Sequence, residues 1–134
     1  MKKRVMLQLP YSDGLKAVFE GRGDIEVDHF TELGEDNIHQ HIANYDAVIL
    51  GIAPLTPRLI EAADKLKIAS RFGVGYDAVN VPALTKAGIP LSIAGIANSV
   101  TVAEHALFFM LALTKQALAY DKETRKGNWA IRFE

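Results

Sequence analysis

Ala47-Val48-Ile49-Leu50, then Thr56-Pro57 leading into Leu59, Ile60, Ala63 and Leu66, then Ile68-Ala69-Ser70-Arg71-Phe72, is the stretch that decides the fold. The first run is continuously apolar, as a parallel strand covered on both faces must be. Thr56 is a capping residue and Pro57 suits the first helical position, so a helix opens there. Its apolar stripe is Leu59, Ile60, Ala63 and Leu66, at helical spacing. A strand, a helix and a second strand in this rhythm imply a right-handed crossover between parallel neighbours.

The rhythm continues in both directions. Upstream, Val5-Met6-Leu7-Gln8-Leu9 reads as a first strand that ends in the turn at Pro10-Tyr11-Ser12-Asp13-Gly14. A short helix follows, with Leu15, Val18 and Phe19 on one face. Ile25 to Phe30 alternates apolar and polar residues, which suits a strand near the sheet edge. Asp36 to Asn44 is helical, with Ile38 and Ile42 four apart. Downstream, Val81 to Ala87 forms a short helix capped by Asn80, and Pro90 to Ala94 is a fifth strand. The prediction is an α/β, flavodoxin-like five-stranded parallel sheet in the order 2-1-3-4-5.

The chain of 134 residues is long enough for one real core. Its 15 basic and 16 acidic side chains leave a net charge of −1, too small a field to draw it onto nucleic acid or an anionic membrane. Without cysteine it has no disulfide framework and no thiolate metal site, which fits a cytoplasmic protein. The apolar run behind Lys2-Lys3-Arg4 is interrupted at Gln8 and ends at Pro10, too short for a signal peptide. No apolar stretch reaches a membrane span.

The last third reads differently. Thr101-Val102-Ala103-Glu104 has the capping-box pattern. The helix it opens is expected to run to Lys126, about 39 Å at the usual rise. From Ala106 to Leu113 it is apolar all round, so more than one small sheet must cover it. Either another domain or a second subunit has to do so. Beyond Gly127 follows a tail with Trp129 and Phe133.

Gly73-Val74-Gly75-Tyr76-Asp77-Ala78 matches a dinucleotide-binding fingerprint by letter. The fingerprint should lead directly into a helix, but Val79, Asn80, Val81 and Pro82 intervene. The acid expected about 20 residues later is absent too. The alternatives are a tight loop that offers backbone N–H groups to an anion at the carboxyl end of a strand, or a plain strand-turn. His105 is adjacent to Glu104, and neighbours on a helix do not face each other; a structural role is expected. His39 and His41 diverge on their helix, so no metal site is expected there.

Arg71 to Val81, then Gly88-Ile89-Pro90, then Asn98-Ser99-Val100-Thr101-Val102-Ala103-Glu104-His105 resembles the consecutive signature of the D-2-hydroxyacid dehydrogenase family. That family includes phosphoglycerate, glycerate, D-lactate and formate dehydrogenases. The resemblance implies two flavodoxin- or Rossmann-like domains, with the NAD domain inserted in the chain of the substrate domain. Residues 1–98 would be substrate-binding. Residues 99–134 would be a long interdomain and dimerisation helix with a tail leading to an NAD-binding domain. It also implies that the N–H groups of Val74 and Gly75 bind the carboxylate of a small 2-hydroxy or 2-oxo acid, and that Asn98 reaches the same substrate. The cofactor would be NAD, with NADP left open, and Val74, Ser99 and Val102 would line it, with Thr101 a weaker candidate. A homodimer through the helix 101–126 is expected. The family's catalytic arginine, acid and histidine match no position here and are expected after Glu134, so this chain alone should be inactive. The loop Gly51-Ile52-Ala53-Pro54-Leu55 lacks the basic or hydroxyl residues of relatives that bind phosphorylated substrates. Ile93-Ala94-Gly95 replaces the common Asn-x-Pro. From another class, a non-catalytic carboxylate-binding or dimerisation module of the same fold remains the alternative.

Overall fold

The computed structural model describes residues 2–9, 13–32 and 34–133. The turn expected over residues 10–14 lies partly outside them. The chain forms two compact units, residues 1–97 and 98–134.

The first unit carries β1 (Lys3–Gln8), α1 (Asp13–Phe19), β2 (Ile25–His29), α2 (Glu35–His41), a 3-10 turn (Ile42–Asn44), β3 (Ala47–Leu50), α3 (Pro57–Glu61), β4 (Ile68–Arg71), α4 (Val81–Ala87) and β5 (Leu91–Ile93). The five strands are parallel, in the order β2-β1-β3-β4-β5. β1 lies inside the sheet with Val5 opposite Val27 on one side and Ala47 on the other. That position explains why Val5, Met6, Leu7 and Gln8 are all buried. β2 is an edge strand, and its alternation leaves it half-buried.

One sheet face holds Met6, Val48, Leu50 and Ala69. Ile38 and Ile42, then Leu59, Ile60, Ala63 and Leu66, then Leu84 and Ile89 form a single core with them. Two short helices have working caps. Thr56 Oγ1 accepts from Leu59 N at 3.4 Å, and Asn80 Oδ1 accepts from Ala83 N at 2.9 Å. α3 ends at Glu61, yet Ala63 and Leu66 are still buried by the turn after it. On α1 the expected apolar face is incomplete, because Val18 is exposed.

At the amino end of the strands, Tyr45 donates its hydroxyl to Asp28 at 2.9 Å, and the Arg4 guanidinium lies over its ring, 4.7 Å from the centroid. Phe30 meets the same ring edge-on. Burial, and then the hydrogen bond to Asp28, push the Tyr45 phenol up to about 12.

The second unit corrects the expectation of one helix over 101–126. α5 spans Ser99–Thr114 and α6 spans Ala117–Arg125, with a 3-10 turn at Trp129–Phe133. No glycine or proline marks the break. The Thr114 hydroxyl donates back to the carbonyls of Met110 and Leu111, and the last turn tightens as Gln116 N bonds Leu113 O. Such back-bonding competes with regular helix geometry. Gln116 then adopts φ 48°, the left-handed region that an L-residue enters at a cost. The capping box is corrected as well. α5 begins two residues before Thr101, so Thr101 lies inside the helix and Asn98 holds the capping position.

Candidate functional site

The loop from Gly73 to Ala78 follows the carboxyl end of β4 and is held from both sides. On entry, Phe72 N bonds Leu50 O at 2.9 Å, and Gly73 O accepts from Ala94 N at 3.1 Å. On exit, Leu55 and Val79 form an isolated parallel bridge, Leu55 N to Ala78 O at 2.9 Å and Asn80 N to Leu55 O at 3.0 Å. Leu55 is fully buried and Val79 nearly so. The loops after β3 and β4 are thereby tied together above the core.

Between these anchors the N–H groups of Val74 and Gly75 have no partner among the described residues. Backbone donors away from water rarely go unpaired, so open donors must face solvent or a ligand. Here both residues are exposed, Val74 at 42%. Gly73 at φ 153° sets up this course, in a region where L side chains rarely sit. A side chain there would also strike Arg71, whose Nη1 lies 2.9 Å from the position of a Cβ. Nη1 donates to Phe72 O at 2.6 Å, which fixes the guanidinium against the loop. The loop therefore offers adjacent free donors beside a full positive charge, an arrangement that attracts a carboxylate. Sequence reasoning passed over Arg71; its position directly before Phe72-Gly73 was the available signal.

The remaining candidates belong to the second unit. Asn98 occupies the capping position of α5 with φ −118° and ψ 11°, but its side chain makes no capping bond. Its amide is thus not used as a cap and is open to another group. Asn98, Thr101 and Val102 line one open recess along α5 with His105, Ala106 and Phe109. Ser99, also exposed, does not line it. His105 packs edge-on against Phe109 with centroids 4.3 Å apart. His41 sits beside Phe30. Among the described residues no three His, Cys, Asp or Glu side chains gather as a metal site. No helix among them is long and apolar enough to cross a membrane.

The family model described as "D-isomer specific 2-hydroxyacid dehydrogenase, catalytic domain" matches residues 6–128. The chain belongs to this family. Among its relatives in this dehydrogenase family, the D-3-phosphoglycerate dehydrogenase of Synechocystis is 37% identical over 105 residues, 78% of this chain and 19% of the relative. The formate dehydrogenase of Pseudomonas sp. (strain 101) is 30% identical over 122 residues, 88% of this chain and 30% of the relative. The chain thus spans a minor part of the length of the curated dehydrogenases it matches. Of solved structures, the NAD-dependent formate dehydrogenase of Staphylococcus aureus in complex with NAD superposes with a TM-score of 0.74 at 29% identity, over 95% of this chain and 43% of that one. The D-mandelate dehydrogenase of Rhodotorula graminis has a TM-score of 0.79 at 20% identity, over 97% and 42%. That last likeness establishes the shared fold.

Proposed function

We propose that this chain is the substrate-binding portion of an NAD-dependent oxidoreductase that acts on the CH–OH group of a D-2-hydroxy acid, or in reverse reduces the 2-oxo acid. The observation that carries this reading is the pair of unpartnered N–H groups at Val74 and Gly75, held beside Arg71 in a chain of this family. In this reading those donors take the substrate carboxylate, and Asn98 of the second unit, whose side chain makes no capping bond, is a further substrate-binding residue. NAD, or NADP in its place, supplies or accepts the hydride when bound. In this reading Val74 of the first unit, and Ser99, Val102 and, as a weaker candidate, Thr101 of the second, are cofactor-binding residues. The exposure of Val74 and Val102, 42% and 57%, leaves both free for that role.

The reading favours a substrate without a phosphate. The loop Gly51-Ile52-Ala53-Pro54-Leu55 carries no cation and no hydroxyl. This reading assigns neither proton transfer nor the pyrophosphate to any of the described residues, and it expects no turnover from them by themselves. The subunits pair as a homodimer through α5, where Leu107, Phe108, Phe109, Met110 and Leu111 are all more than half exposed. Those side chains equally favour the second reading, a dimerisation module without chemistry.

The test is consumption of NADH by the full-length protein with a panel of uncharged-tail 2-oxo acids, with Gly75→Pro alongside to remove one donor. Turnover that falls at least about tenfold in kcat/KM for that variant is expected, from the loss of a hydrogen bond to a charged group. No turnover of any 2-oxo acid with NADH or NADPH defeats the enzymatic reading and leaves the module.

A further inference from the structure

Gln8 closes the buried strand β1 at 2% exposure, and both polar atoms of its side chain, Oε1 and Nε2, are buried without a hydrogen-bond partner. Among the described residues its only hydrogen bonds are made by its backbone, whose carbonyl accepts from Gly51 N at 3.1 Å. An amide left so has given up its hydration with nothing in return, and native cores rarely tolerate that without a reason. Gln8 also lines a recess of about 420 Å³ together with Leu9, His29, Phe30, Thr31, Gly51 and Ile52. That volume lies within the range of small-molecule sites, about 300–1,000 Å³. The recess sits at the carboxyl ends of β2, β1 and β3, the sheet edge from which open α/β sheets bind ligands. Gly51 keeps it formed. A Cβ there would lie 2.6 Å from Gln8 O, so only glycine lets the loop after β3 pass this close to β1.

We propose that this recess is a subsite for a neutral carboxamide carried on a short apolar stem, with the Gln8 side chain as its hydrogen-bonding floor. The chemistry follows from the lining. Gln8 offers one donor group and one acceptor side by side, and only a ligand with the complementary pair meets both. Leu9, Phe30 and Ile52 give apolar walls for the stem. Among the described residues no Lys, Arg, Asp or Glu lines the recess, and the His29 imidazole in its wall is already engaged with Leu9 O, so a carboxylate or phosphate tail would be desolvated with no dedicated counter-charge. Assigning the bound amide to the tail of the substrate rests on the function proposed above; the affinity of the recess for an amide does not. In that assignment the carboxylate end lies at Val74 and Gly75 at the end of β4, one strand beyond β3 along the same edge. The substrate class is then a 2-oxo acid that ends in an amide.

Two measurements on the full-length protein separate the claims. In the first, butyramide is titrated while the side-chain amide resonance of Gln8 is followed by nitrogen-proton correlation, assigned by its loss in Gln8→Leu. A saturable shift of that resonance, abolished in Ile52→Trp, is expected; Ile52 is 77% exposed, so the bulkier residue fills the mouth without entering the core. A resonance that does not move, because water alone satisfies Gln8, overturns the proposal. In the second, kcat/KM is compared for 2-oxoglutaramate, 2-oxohexanoate and 2-oxoglutarate. The amide is expected to lead by at least about tenfold, and Gln8→Leu to erase that lead while it spares 2-oxohexanoate. An equal fall for all three substrates marks Gln8 as structural and overturns the assignment to the substrate tail. Butyramide binding with no turnover of any 2-oxo acid sinks the dehydrogenase reading and leaves the amide subsite standing.

Discussion

The two units use comparable apolar side chains to opposite ends. In residues 1–97, Leu50, Leu55 and Leu59 are sealed completely, and the helix caps at Thr56 and Asn80 are made. In residues 98–133 no described side chain is buried, the cap at Asn98 is unmade, and Leu113 is 79% exposed. Apolarity states that a surface should be covered; only topology states by what. The first unit carries its own cover in the crossovers, whereas α5 carries none.

The largest expected effect tests that contrast directly. Leu59→Ala should destabilise the chain by about 2–5 kcal/mol, because its cavity cannot close. Leu113→Ala should stay within about 0.5 kcal/mol at concentrations too low for the subunits to pair. Denaturant titration of both variants checks the pair. A Leu113 loss as large as that at Leu59 would mean that α5 is covered in solution, and light scattering would then report the dimer.

Next comes pH, confined to the first unit. The phenol of Tyr45 is held at about 12 against an ordinary 10.0, so the folded state favours its neutral form. Its contribution is therefore complete below pH 10, and is lost as pH rises through about 12. The shift corresponds to something on the order of 2 kcal/mol. Phenolate absorbance should show one tyrosine that titrates late, and Tyr45→Phe should remove that step. A late step that survives in Tyr45→Phe would contradict the assignment.

The caps give a smaller and cleaner comparison. Asn80→Ala should lose about 1 kcal/mol, the usual worth of a made cap. Asn98→Ala should cost no more than about 0.5 kcal/mol and, on the function proposed above, instead lower kcat/KM. Thermal melts set against kinetics separate the two asparagines; equal losses of stability would return Asn98 to a capping role.

How much of this was legible can be said residue by residue. The sheet order followed from the alternation of apolar runs and helical stripes, because the face of Met6, Val48, Leu50 and Ala69 finds its cover within the same unit, although Ile68 and Ile93 stay 40% exposed. Thr56 and Asn80 were readable as caps because Pro57 and Pro82 stand within two residues after them. Thr101 and Glu104 carry the same letters as a cap, yet the helix nucleates at Ser99, where no local pattern points. The break at Gln116 was hidden since its cause, the Thr114 hydroxyl, depends on a rotamer and not on a residue type that excludes helix. The free donors of the Gly73–Ala78 loop were expected in kind. Arg71 and Gln8 were not, because a strand pattern records whether a residue is polar but not whether anything meets it.

The smallest effect concerns that break. Gln116→Gly should stabilise by about 0.5 kcal/mol, since relief of the left-handed strain outweighs the extra chain freedom of glycine only slightly. If instead α5 and α6 join into one helix in solution, the same substitution should cost about 1 kcal/mol. The sign of the change in a thermal melt decides between them.

The bridge between Leu55 and Val79 sets a ruler on the glycine loop. With Gly73 fixed by Ala94 at one end and Val79 fixed by Leu55 at the other, the segment between them has no slack to absorb an inserted residue. An insertion would bulge at Val74 and Gly75 and turn their donors away, whatever its chemistry. Redesign of this mouth must therefore proceed by exchange of side chains at constant length. The neighbouring loop that starts at Gly51 is held to the same gauge at Leu55, so loops transplanted from longer relatives would have to be moved as a matched pair.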